Sequence, residues 1–218
     1  MHTTAQLDHR PTHPDWERSG SVLLSRHLGA DRVAALATQA HQQIDTAVPY
    51  SPDEVGPHRD GSFTSPVRYG LLPAGPLLTQ LAHDASLLRA VRESTGLPGL
   101  VPRGCSVAVY RYGDFHGLHT DAAEVKVTVC VALTADLPPL WWAPSLRDAA
   151  PEALAGVVAD SGFWPECAHF ERLEHPLTDG GVHALAGSRV PHWRTPFTGE
   201  EPGLLASITY AQASPSGS

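Results

Sequence analysis

The stretch that decides the fold is YRYGDFHGLHTDAAEVKVTVCVAL, Tyr110 to Leu133. It sets His116, His119 and Asp121 within six positions and then turns apolar and β-branched from Lys126 onward. KVTVCVAL reads as a strand, and so does CSVAVYRY (Cys105–Tyr112) just upstream, because β-branched and aromatic side chains suit a pleated, half-buried surface. His119 and Asp121 are two positions apart. On an extended chain such a pair points to one side, so both side chains can reach one ion. HxD alone is a weak signal in a chain with 13 histidines, and a polar turn before a strand explains it too. Its place between two strands gives it weight.

Upstream of this block the texture is different. SVLLSRHL (Ser21–Leu28) reads as a short strand. ADRVAALATQAHQQI repeats its apolar residues near a 3.6 period and reads as a helix with Asp31 near its N-cap. Asp45 to about Ala74 is rich in Pro, Gly, Ser and His, a loop with short strands that can lie over a site. PLLTQLAHDASLLRAVRESTG reads as one or two amphipathic helices ended by Gly96 and Pro98. Downstream, a long insertion carries Trp141, Trp142 and a helix near Pro151–Ala159, followed by short strands in AHFERLEHPL, GVHALAGSRVPHWRTPF and GLLASITYAQA. Helices first and strands afterwards argue for an α+β fold, with helices on one face of an antiparallel sandwich or barrel. The expected organisation is a flexible N-terminal arm (1–19), a single domain (20–212) and a disordered tail (213–218).

Composition narrows the function classes. The 218 residues carry a formal charge of −8 and a pI near 5.8, so a nucleic-acid backbone is not the expected partner. No apolar run approaches the roughly 20 residues of a membrane span. The polar N-terminus lacks the apolar core of a signal peptide. The three cysteines, Cys105, Cys130 and Cys167, are odd in number and far apart, as expected of reduced thiols in a cytoplasmic protein. No nucleophile elbow, P-loop or dinucleotide fingerprint is present. The composition leaves the oligomeric state open.

Two imidazoles and one carboxylate on one face of an octahedron leave positions free for co-substrate and oxygen, the facial triad of non-haem Fe(II) oxygenases. His119 and Asp121 supply two of the three. His192, in GSRVPHWRTPF, is the best candidate for the third, with His175 and His183 as rivals. At these residues the chain resembles the Fe(II)/2-oxoglutarate-dependent oxygenases, in the branch of the prolyl hydroxylases and phytanoyl-CoA hydroxylase. VAVYRYGDFHGLHTD, KVTVCVALT and LAGSRVPHWRTPF followed by LLASITY carry the likeness, which spans about Ser21 to Tyr210.

The resemblance implies a double-stranded β-helix, a jelly-roll or cupin-like sandwich with N-terminal supporting helices. It implies Fe(II) held by His119, Asp121 and His192, with 2-oxoglutarate and O2 as co-substrates. The reaction expected is hydroxylation, desaturation or cyclisation of a small molecule, in the manner of natural-product biosynthesis. One departure is clear. Most of this family has a basic residue about ten positions after the distal histidine to bind the far carboxylate of 2-oxoglutarate. Here Glu201-Pro202-Gly203 stand there, and no basic residue follows Arg194.

Arg194 is the expected substitute. It lies two after His192, and its planar fork suits a carboxylate. Lys126 and then Arg189 come next, and Tyr112 is expected to hydrogen-bond the keto acid. His116 reads as a solvent-facing loop histidine, and the loop bearing His58 and Arg59 as plain surface or, alternatively, a cover for substrate. Two other readings stay open. One is an Fe(II) oxidase that needs no keto acid, and the other is a non-catalytic jelly-roll binding module.

Overall fold

The stretch 127–132 is buried on both sides because it runs through the middle of the molecule. A computed structural model of the chain describes residues 12–24, 28–165, 169–175, 177 and 180–213. Cys167 and the expected disordered tail from 214 on fall outside the described residues. The helices are α1 (Pro14–Ser19), α2 (Ala30–Gln42), α3 (Pro76–Ala82), α4 (Ala85–Thr95) and α5 (Pro151–Ser161). The early strands are β1 (Ser21–Leu23), β2 (Val48–Tyr50), β3 (Gly56–Pro57), β4 (Phe63–Thr64) and β5 (Val67–Pro73). The later ones are β6 (Leu100–Tyr110), β7 (Phe115–His119), β8 (Val125–Ala132), β9 (Leu140–Trp142), β10 (Leu173–His175), β11 (Val182–Leu185), β12 (His192–Arg194) and β13 (Gly203–Gln212).

The strands pair in the order β1-β11-β8-β13-β6-β5-β7-β12-β9-β10, with β2 added to β5. Every pairing is antiparallel. β5 turns the corner: Gly70–Pro73 pair with β6 in the larger sheet, while Val67 and Arg68 pair with β7 in the smaller one. The sheet is thereby curled into two facing layers. The chain is an α+β double-stranded β-helix, as its sequence led us to expect.

Strand alternation sorts the side chains into layers. Val127, Val129 and Val131 of β8, with Leu204, Ala206 and Ile208 of β13, face the helices, where they meet Val33 and Leu36 of α2 and Leu87 and Val91 of α4. Cys130, Ala132 and Leu205 face inward with Tyr110, Leu140 and Trp142. On the far side, Leu118 and Trp193 of the smaller sheet pack with Leu154 and Val158 of α5. β8 is buried from Val127 to Ala132 because it is covered on both faces.

Local expectations hold in the main, with instructive exceptions. The predicted helix begins at Ala30 as read, but Gly29 is its N-cap and Asp31 sits in the first turn. α3 and α4 are separate helices: Asp84 caps α4 by accepting from the backbone N–H groups of Ser86 and Leu87, and Gly96 closes it at φ +70°. Residues 14–19, expected as part of a flexible arm, are instead helix α1. Trp16 packs against the core. The Trp142 indole N–H donates to the Ser19 carbonyl at 2.6 Å, and Arg147 donates to the carbonyls of Trp16 and Glu17. That aromatic anchor and three carbonyl contacts fix a segment whose polar composition alone suggests freedom. Among the described residues no helix is long and apolar enough to cross a membrane.

Candidate metal centre

His119 ends β7 and His192 begins β12, and the two are directly paired across the smaller sheet. Asp121 follows two residues after His119, its backbone N–H donating to the Gly187 carbonyl at 2.9 Å. One carboxylate oxygen, Oδ1, lies 3.9 Å from His119 Nε2 and 3.7 Å from His192 Nε2. The three candidate ligand atoms all fall within 4.8 Å of one another. Each histidine donates its Nδ1–H to a backbone carbonyl, His119 to Gly117 at 2.9 Å and His192 to Val190 at 3.0 Å. This fixes the tautomer that leaves Nε2 lone pairs facing the carboxylate, as a metal ligand requires. Burial lowers the pKa of both imidazoles, so both stay neutral near pH 7. A divalent cation binds neutral imidazole, so the donor set fits a metal without a proton having to leave.

A β-bulge shapes the histidine strand. His192 pairs with His119 but Arg194 pairs with His116, so four residues on β7 face three on β12. The extra residue turns both His116 and His119 inward, which plain alternation forbids. Gly117 sits in the bulge, where a Cβ would strike the Ser65 hydroxyl and the Pro66 carbonyl. His116, read as a solvent-facing residue, is therefore half-buried. Its ring stacks on His119 at 3.6 Å with 6° between planes.

Two cavities meet at this centre. The inner one, about 180 Å³ inside the barrel, is bounded by His119, Asp121 and His192 at the centre, by Arg194 and Tyr110, and by the hydroxyl residues Ser106 and Ser207. The outer one, about 650 Å³, opens over His119 and Asp121 between Tyr50, Tyr69 and the hairpin β3–β4. Tyr69 and His116 line both. The hairpin tip bears His58 and Arg59, and is bound to the His119–Asp121 segment. Thr120 Oγ1 accepts from the Phe63 N–H at 2.8 Å, Thr120 N–H donates to the Phe63 carbonyl at 2.9 Å, and Ala123 N–H donates to Asp60 at 3.0 Å. The Ser62 hydroxyl, with the backbone N–H groups of Ala123 and Ser62, holds the Asp60 carboxyl down at about 2.

Arg194 is 2% exposed and lines the inner cavity. Its Nη1 donates to the Pro138 carbonyl at 2.8 Å, and its guanidinium lies 5.8 Å from the Tyr110 ring centroid. No carboxylate pairs with it among the described residues. A buried guanidinium with no anionic partner is costly.

The other expected residues lie elsewhere. Tyr112 is 80% exposed: β6 ends at Tyr110, and Gly113 at φ +81° turns the chain away. Tyr110 takes the inward place, buried and with its hydroxyl pKa pushed up. Lys126 falls at a register shift between β8 and β13, is exposed, and donates to the Ala123 carbonyl at 2.8 Å. Arg189 is on the surface, paired with Asp148 at 2.5 Å. His175 and His183 lie near each other, with ring centroids 5.4 Å apart, and His175 Nε2 bonds Ser21 Oγ. Neither joins the His119, Asp121 and His192 cluster. Two residues went unread in the sequence: Thr128, which bonds Asp121, and Gly187, which packs against it. The alternation of β8 puts Thr128 on the inward face, and that was the available signal.

No protein-family model matches the sequence, and no curated protein matches it. Solved structures do. AviO1 from Streptomyces viridochromogenes Tue57 aligns with TM-score 0.65 at 20% identity, over 97% of this chain and 99% of that one. A Pseudomonas putida prolyl-4-hydroxylase aligns with TM-score 0.60 at 18% identity, over 92% of this chain and 96% of that one. SnoN, an epimerase of nogalamycin biosynthesis solved with Fe3+, alpha ketoglutarate and nogalamycin RO, aligns with TM-score 0.64 at 18% identity, over 91% and 81%. The chain has the fold of the 2-oxoglutarate-dependent oxygenases. Within this oxygenase fold, β13 turns Leu205, Ser207 and Thr209 toward the inner cavity and no basic side chain.

Proposed function

We propose that this chain is an Fe(II)- and 2-oxoglutarate-dependent oxygenase acting on a small molecule, as the sequence resemblance implies. The observation that carries the reading is the pairing of two features in one cavity: a His-Asp-His cluster at one end and the buried, acid-free Arg194 beside it. His119, Asp121 and His192 would hold Fe(II). Arg194 takes the far carboxylate of 2-oxoglutarate in a two-pronged contact, with Tyr110 beneath the guanidinium. When bound, iron and keto acid supply oxygen activation, with decarboxylation to succinate and oxidation of a substrate C–H bond.

The remaining work belongs to the protein. The outer cleft takes the substrate, Tyr69 and His116 separate it from the co-substrate cavity, and the tethered hairpin closes one wall against water. Solved neighbours include an epimerase as well as a hydroxylase, so substrate oxidation ending in something other than hydroxylation is consistent with this site. A cleft of about 650 Å³ is of the size that small-molecule sites occupy.

A second reading, an Fe(II) oxidase needing no keto acid, has one observation in its favour: the absence of a basic residue on the inward face of β13. The test is oxygen uptake and succinate release by the purified chain given Fe(II) and 2-oxoglutarate. The proposal expects both, coupled, and lost in His119→Ala and Asp121→Ala. Oxygen uptake with no succinate favours the oxidase. Neither product, with no metal bound, leaves a non-catalytic module.

A further inference from the structure

The Asp121 carboxylate has two oxygens, and only one faces the histidines. The other, Oδ2, is held by two residues. Thr128 Oγ1, on the inward face of β8, donates to it at 2.5 Å. Gly187 also lies against it, so close that a Cβ there would overlap Oδ2 and press to 3.2 Å of His192 Cε1. Gly187 also accepts the Asp121 backbone N–H at 2.9 Å. Thr128 itself is buried, and its one described hydrogen bond goes to this carboxylate. A buried threonine hydroxyl more often returns its proton to a nearby backbone carbonyl. Here it is spent on the candidate ligand instead.

We propose that Thr128 and Gly187 are positioning residues that confine Asp121 to single-oxygen coordination, Oδ1 toward the metal and Oδ2 toward the threonine. The inference rests on the metal reading above. A carboxylate free to swing would chelate through both oxygens and occupy a position that co-substrate or oxygen needs. Thr128 blocks this by engaging Oδ2 with a hydrogen bond to a charged acceptor, and Gly187, having no Cβ, leaves the space that Oδ2 occupies in this rotamer. Partners of this kind around a ligand typically govern 10- to 100-fold of metal affinity, roughly.

The experiment uses the full chain freed of metal and Co(II) as the probe, titrated calorimetrically and by the visible d–d bands of the bound ion. Thr128→Val keeps the shape and removes the hydroxyl. It should raise the Co(II) dissociation constant about 10- to 100-fold and shift the d–d bands, while the melting temperature of the metal-free protein stays close to the parent's. Thr128→Ser should restore both affinity and spectrum. Gly187→Ala, which leaves the hydroxyl in place, should reproduce the altered spectrum. Wild-type affinity and spectrum in Thr128→Val would overturn the inference and leave the metal reading standing. A parent chain that binds no Co(II) would overturn both.

Discussion

Replacing Arg194 by methionine separates the function of a buried charge from its effect on stability. Arg194 is 2% exposed, donates to the Pro138 carbonyl and lies over Tyr110, with no described carboxylate beside it. If it receives the far carboxylate of 2-oxoglutarate, two charge-assisted hydrogen bonds are made in a site shielded from water. Truncating one partner of such a pair costs about 2–5 kcal/mol, and about 1.4 kcal/mol is tenfold in affinity. The inner cavity adjoins the open cleft, so the lower end applies, and Arg194→Met should weaken 2-oxoglutarate by about 30-fold or more. Binding survives in part because the keto-acid end still meets the metal.

The assay is calorimetric titration of 2-oxoglutarate into Ni(II)-loaded protein, with oxalate as the control that chelates but has no far carboxylate. Oxalate should bind parent and variant alike. Arg194→Lys, a point charge in place of a fork, should fall between them. The metal-free Arg194→Met protein should melt no more than a few degrees below the parent. Desolvating an unpaired guanidinium offsets what the Pro138 bond and the Tyr110 contact contribute. Equal loss for oxalate and 2-oxoglutarate, or no loss for either, would refute the anchor assignment.

Other expectations follow from particular contacts. Burial holds His183 neutral with a pKa lowered from 6.5 to about 4, so the unfolded chain binds more protons between those values. Stability should be full above pH 6.5 and fall as pH drops toward 4, by on the order of 3 kcal/mol from this group. Thermal melts from pH 7.5 down should show that decline, and His183→Leu should flatten part of it. Trp16→Ala should lower stability by about 2–3 kcal/mol, read as an earlier urea midpoint, because the indole packs between the helices and the inner layer. An unchanged midpoint would restore the picture of a free arm. Gly117→Ala forces a Cβ into Ser65 and Pro66 and should cost about 1–3 kcal/mol. It should also weaken Co(II) binding by displacing His119. Retained affinity at full stability would mean that the bulge has room to spare.

Much of this architecture was legible because strand periodicity is local. KVTVCVAL announced a strand, and HxD followed by a distal histidine announced a three-residue cluster. The place of Arg194 on the inner cavity was legible for the same reason, since His192 and Arg194 alternate on one short strand. The misreadings mark where periodicity breaks. Tyr112 was assigned inward by extending an alternation that stops at Tyr110, two residues before a left-handed glycine. Lys126 falls at a register shift, and His116 comes inward through a bulge; both depend on a partner strand distant in sequence. Helix α1 is fixed by Trp142 and Arg147, more than a hundred residues away, which no local pattern reports. Thr128 and Gly187 became visible only once the Asp121 carboxylate had a direction.

The most direct measurement is anaerobic. The protein is loaded with Fe(II), 2-oxoglutarate is added, and the visible metal-to-ligand charge-transfer band is followed. A band that saturates near one equivalent, absent in His119→Ala and needing more keto acid in Arg194→Met, is the result predicted by a His119-Asp121-His192 iron site with Arg194 as anchor. Iron that binds without any such band would contradict the use of 2-oxoglutarate, and a chain that takes up no iron would contradict the site itself.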